Sequence, residues 1–93
     1  MRTKIFRSKK YLQFIQNQPC VICGSVPSDP HHIEAGGMGI KTDDTRVISL
    51  CRKHHSEVHA TGKKSFQVKY SLDMWKTAFL LLEKYMKENK TEP

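Results

Sequence analysis

The stretch Ser49-Leu50-Cys51-Arg52-Lys53-His54-His55-Ser56-Glu57-Val58-His59 decides the fold. Cys51 and His54 are separated by two residues, the spacing of a zinc knuckle. His55 and His59 stand four apart, which on a helix puts both rings on one face about a turn apart. His54 lies about 100° round the same helix from His55. The segment therefore reads as a helix from Cys51 to about Ala60, ended by Gly62. One of its faces turns to a closed metal site and the other to a second metal.

Working outward, Cys20-x2-Cys23 supplies the other knuckle, with 27 residues between Cys23 and Cys51. Two knuckles complete a tetrahedron, and thiolate at ~2.3 Å with imidazole at ~2.0 Å suits a structural zinc ion. Gly24 lets backbone amides turn back toward the sulfur. The expected ligands are Cys20, Cys23, Cys51 and His54. His55 is the alternative fourth ligand, less favoured because it fits the second group. Three cysteines cannot all pair within one chain, and no export signal is evident, so metal ligation is the better reading than a disulfide framework.

His31 and His32 are adjacent on a segment that reads as extended, so their side chains leave on opposite sides. One can hold a metal while its neighbour faces a substrate. A lone histidine reads as an ordinary solvated or hydrogen-bonded side chain. Five in 93 residues, all between positions 31 and 59 and flanked by zinc-type cysteines, do not. The expected second group is His31, His32, His55 and His59.

The remainder of the chain frames this core within a single domain, 1–93. Residues 1–7 form a basic arm. Ser8 caps a helix over 8–17, with Tyr11, Leu12, Phe14 and Ile15 at helical spacing. Asn17-Gln18-Pro19 stops it. The zinc-stapled core spans 19–62. Gly36, Gly37 and Gly39 mark a flexible connection from Glu34 to Asp44, and Arg46 to Leu50 reads as a β-branched strand. Residues 63–88 form C-terminal helices. Phe66, Val68 and Tyr70 suggest a short turn of helix. A longer helix follows from about Leu72 to Lys87, with Trp75, Phe79, Leu82 and Met86 on one stripe. Most of that face, Leu80 and Leu81 included, is expected to pack on the zinc core, with a dimer surface as the alternative. Asn89 to Pro93 read as a tail.

Charge points to the partner. Sixteen Lys and Arg against nine Asp and Glu give +7, a balance that favours polyanions. Lys41, Arg46, Arg52, Lys53, Lys63 and Lys64 are candidate phosphate contacts. No apolar run reaches the ~20 residues that span a bilayer, and no secretory signal is evident. A cytoplasmic setting, in a bacterial host or phage-infected cell, is expected, as a monomer or weak homodimer.

These residues resemble the HNH nuclease superfamily, also called ββα-metal or His-Me finger nucleases. The matching segments are PCVICG (19–24), DPHHI (29–33) and SLCRKHHSEVH (49–59). The chain looks most like small phage-type HNH proteins, a layout that phage recombination-enhancement nucleases share. The resemblance implies an α+β fold: a small ββα-metal hairpin-helix core, stapled by zinc, with flanking N- and C-terminal helices. It implies His32 as general base and His31, His55 and His59 as ligands of a catalytic divalent metal. Imidazole ligands admit Zn2+, Mn2+, Ni2+ or Co2+, while Mg2+ prefers oxygen. The implied reaction is hydrolysis of a DNA phosphodiester. His32 would take a proton from water and the ion would stabilise charge on the phosphate, leaving 5′-phosphate and 3′-hydroxyl ends. The family's central Asn is missing; Asp43-Asp44-Thr45-Arg46 stands in its place. The group that orients His32 is therefore open between Asp44 and a main-chain carbonyl.

Two other classes fit part of the pattern. A treble-clef-like zinc module that grips nucleic acid without cutting it needs one metal, and has no use for His31, His32 and His59 together. A structural partner in a phage assembly needs only the zinc site and the last helix.

Overall fold

Two four-residue strands form the centre. Asp29–His32 (β1) and Val47–Leu50 (β2) pair antiparallel, with Asp29 opposite Leu50, Pro30 opposite Ser49, His31 opposite Ile48 and His32 opposite Val47. All four residues of β2 are buried, because helices cover both of its faces. Ile48 and Leu50 pack with Val58, Phe66, Met74 and Ala78. Val47 turns the other way, to Tyr11 and Ile15. The computed structural model describes residues 6–33 and 43–88. Residues 1–5 of the basic arm, residues 34–42 of the glycine-rich connection with Lys41 among them, and the tail from Asn89 lie outside the described residues.

Four helices surround the hairpin among the described residues, so the chain is a small mixed α+β fold. Lys9–Gln16 (α1) starts at Ser8, whose hydroxyl accepts from the Tyr11 amide at 3.0 Å. That bond satisfies one of the amides a helix start leaves open. Tyr11 and Ile15, four apart, bury the face turned to Val47. Arg52–Thr61 (α2) ends at Gly62, whose φ of 90° permits the sharp exit and whose amide bonds the Val58 carbonyl at 2.8 Å. Met74–Glu88 (α4) follows Asp73, whose side chain accepts from the Lys76 amide at 3.1 Å.

Two sequence expectations are corrected. The short turn around Phe66 is a full helix, Lys63–Tyr70 (α3), which buries Phe66 completely. On α4, the stripe Trp75, Phe79, Leu82 and Met86 packs only at Leu82. Met74 and Ala78 are buried instead, with Leu81, Leu82 and Tyr85 half-buried beside them. Trp75 and Phe79 are 55% and 62% exposed, and Leu80 and Met86 are exposed too. The helix is rolled by about one residue from the expected stripe, so that Met74 and Ala78 enter the cluster of Ile48, Leu50, Val58 and Phe66. No helix among the described residues is long and apolar enough to cross a membrane.

Candidate functional site

The first knuckle forms at Cys20–Gly24. The Ile22 amide points at the Cys20 sulfur at 3.4 Å, and the Gly24 amide bonds the Cys20 carbonyl at 2.9 Å. Gly24 has φ 80°, a conformation other residues adopt only under strain. Val21 donates to the Ser49 carbonyl at 2.9 Å, which pins the knuckle to β2. The chain then leaves β2 through Cys51 into α2, and His54 comes round one turn later.

Cys20, Cys23, Cys51 and His54 thereby converge and could hold a metal such as zinc. Sulfurs bound at ~2.3 Å to one tetrahedral ion lie ~3.8 Å apart. The Cys23 and Cys51 sulfurs are 3.8 Å apart, and His54 Nδ1 is 3.2 Å from Cys51 and 3.7 Å from Cys20. The Ser25 hydroxyl and amide, beside the Cys23 sulfur, bring that thiol down to about 6. It is thus largely thiolate, the ligating form, at neutral pH. Nδ1 of His54, not of His55, faces these sulfurs, in agreement with the knuckle spacing.

The hairpin register explains the division of the adjacent histidines. Residues directly opposite one another share a face of the sheet. His31 lies opposite Ile48 and so faces α2; His32 lies opposite Val47 and faces α1. His31, His55 and His59 come together, with one nitrogen of each within 4.8 Å of the others. The Nε2 atoms of His55 and His59 are 3.1 Å apart, the separation of two imidazole nitrogens bound at ~2.0 Å to one ion. His31 is 6% exposed, and its Nε2 is buried with no hydrogen-bond partner. An orphaned buried nitrogen costs about 1–3 kcal/mol; a cation on it removes that cost. Burial first, then the nearby His55 and His59, pushes His31 down to about 4, so its ring is neutral and able to ligate at physiological pH.

Two carboxylates complete the surroundings. Asp29 lies two residues before His31 on β1 and therefore on the same face. Its Oδ2 is 3.3 Å from His55 Nδ1 and 3.0 Å from Arg52 Nε. A carboxylate on the far nitrogen of a ligating histidine fixes the tautomer and the ring plane. The sequence alone assigned Asp29 no role, although the i, i+2 rule for strands places it on the face of His31. On the other face, Asp44 Oδ1 is 2.9 Å from His32 Nε2. Asp44 is only 2% exposed and also accepts the Ser8 amide at 2.8 Å. Of the two groups left open for His32, the side chain is the one that contacts it.

The basic residues divide. Arg52 pairs with Asp29, and the Lys63 amine donates to the Ile33 carbonyl at 2.6 Å, so both brace the site. Arg46 lies over the Trp75 ring. Lys53 and Lys64 are exposed.

No solved structure matches the chain. The uncharacterized protein YdfU of Escherichia coli (strain K12) is 46% identical over 65 residues, covering 67% of this chain and 18% of that protein. The chain thus spans less than a fifth of this relative's length. The model of one family, described as "Protein of unknown function (DUF968)", matches residues 2–86, nearly the whole of the zinc-type core and its flanking helices, and the chain belongs to that family.

Proposed function

We propose that the chain is a metal-dependent endonuclease of the ββα-metal (HNH) type, acting on DNA phosphodiesters. One observation carries the reading: a second group, His31, His55 and His59, lies apart from the Cys3His group and follows a different chemistry. A zinc module that only binds would need the first group alone. The hairpin followed by a helix that contributes His54 to one group and His55 and His59 to the other supports the ββα-metal comparison.

In this reading Cys20, Cys23, Cys51 and His54 hold a structural zinc ion. His31, His55 and His59 hold a catalytic divalent ion, which when bound would supply Lewis-acid stabilisation of phosphate charge. Asp29 orients His55. His32 is the general base. Asp44 accepts from His32 Nε2–H, which leaves Nδ1 as the lone-pair nitrogen able to take a proton from water. A buried carboxylate behind the ring also stabilises the imidazolium once that proton has moved. Phosphate contacts fall to Lys53, Lys64 and Arg46.

Supercoiled-plasmid cleavage with Mg2+, Mn2+, Co2+, Ni2+ or Zn2+ tests the reading. The native chain should cut with at least one of these ions, and His32→Ala should slow cutting at least ~100-fold with metal content unchanged. A native chain that binds DNA but cuts with no metal would favour the binding-module reading. Cleavage by His32→Ala at the native rate would remove His32 as base.

A further inference from the structure

The face of α4 that was expected in the core is exposed at Trp75 and Phe79, and Arg46 links it to the strand end that carries the proposed base. Arg46 directly precedes Val47, the register partner of His32. Its carbonyl accepts the amide of Ile33, the residue after His32, at 2.9 Å. Its guanidinium sits 5.9 Å from the centroid of the Trp75 ring. The chain's single tryptophan is therefore tied, through one arginine, to the strand end that carries the proposed base. Phe79 follows one turn along α4, about 6 Å further on, and is more exposed still. Lys76 is exposed on the turn between them.

From this geometry we propose that Trp75, backed by Arg46, is a stacking platform for an unpaired base of a single-stranded or frayed nucleic acid. The proposal rests on the nuclease reading and names the form of its substrate. Aromatic faces flanked by cations are what an unpaired strand needs: the bases stack while the phosphates meet the charges. A base inside a duplex is stacked on its own neighbours and offers no face. Arg46 covers one side of the indole and leaves a guanidinium within reach of the phosphate next to the stacked base. The occupant is argued from charge: the ring is covered on one side by the Arg46 guanidinium, and the chain carries +7. An apolar protein partner would have to bury those charges.

Because Trp75 is the only tryptophan, its fluorescence in the native, zinc-loaded chain reads the platform directly. Oligothymidylate of roughly 16 nucleotides should quench it. A duplex of equal length and an abasic strand with the same phosphates should not. Trp75→Ala should weaken oligothymidylate about tenfold, Trp75→Phe less, with circular dichroism and zinc content unchanged. Equal quenching by the abasic strand or the duplex overturns the proposal, as does native affinity in Trp75→Ala. If Trp75→Ala keeps native affinity but converts a dimer to a monomer, the face belongs to a second copy and the proposal falls. A chain that quenches but cleaves with no metal loses the nuclease reading and keeps the platform. A chain that cleaves duplex DNA without any quench by oligothymidylate loses the platform alone.

Discussion

Asp43 and Asp44 are neighbours with different work. Asp44 turns inward and meets His32 and the Ser8 amide. Asp43 closes the turn before β2, accepting from the Thr45 amide at 2.8 Å, the Thr45 hydroxyl at 2.6 Å and the Phe6 amide at 3.1 Å. Burial opposes the Asp43 charge, but these donors and Arg46 outweigh it and hold its carboxyl below the ordinary carboxylate value. A depressed carboxyl stabilises the fold above its unfolded pKa of about 3.9 and loses that contribution as pH falls through the folded value. Urea midpoints should therefore show Asp43→Asn less stable than the native chain at pH 7, with the gap closing below pH 4. Acid loss of metal affects both chains and cancels in the difference. A gap that stays constant with pH would remove the charge from the account. A second residue-scale prediction concerns Ser71, which ends α3 with φ 50°. Left-handed backbone costs a residue with a Cβ about 1 kcal/mol, so Ser71→Gly should raise stability by roughly 0.5–1 kcal/mol in urea titrations.

At the scale of elements, the hairpin register does the sorting. A slip of one residue would exchange the faces of His31 and His32, sending His31 to α1 and His32 to α2. What holds the register is the burial of β2 between two layers, with Ile48 and Leu50 on one side and Val47 on the other. Helix α3 braces the assembly from behind. Phe66 is fully buried, and the Tyr70 hydroxyl and the Lys69 amine each reach Glu57 on α2 at 2.6 Å. The Tyr70 ring also meets the His54 ring edge-on, with centroids 5.6 Å apart. Phe66→Ala should cost about 3–5 kcal/mol, and chemical denaturation of the metal-loaded chain checks it. A loss under 1 kcal/mol would mean α3 is dispensable to the core. Helix α4 teaches the opposite lesson: Trp75, Phe79 and Met86 of its most hydrophobic-looking stripe are exposed, while Met74 and Ala78 are the residues buried with Ile48 and Leu50.

For the whole molecule, a chain of 93 residues has a modest core, so a metal staple is expected to carry part of the stability. Removing zinc with a chelator should collapse the near-ultraviolet dichroism and lower the melting temperature sharply. Cys20→Ser should do the same. His59→Ala should remove one bound metal per chain by elemental analysis while keeping the fold, since His59 lies at the surface end of α2. A native stoichiometry of one metal, unchanged in His59→Ala, would leave the second group without an ion. The sequence by itself determined the Cys3His knuckles, the helical pairing of His55 with His59, and the capped α1. Each is a local matter, fixed by spacing within a turn or two of chain. Only the tertiary structure decided which way each of the adjacent histidines turns, which carboxylates stand behind His32 and His55, and that the Trp75 face is left outside. Those depend on strand register and on packing among residues far apart in the chain, and neither is written in any one segment.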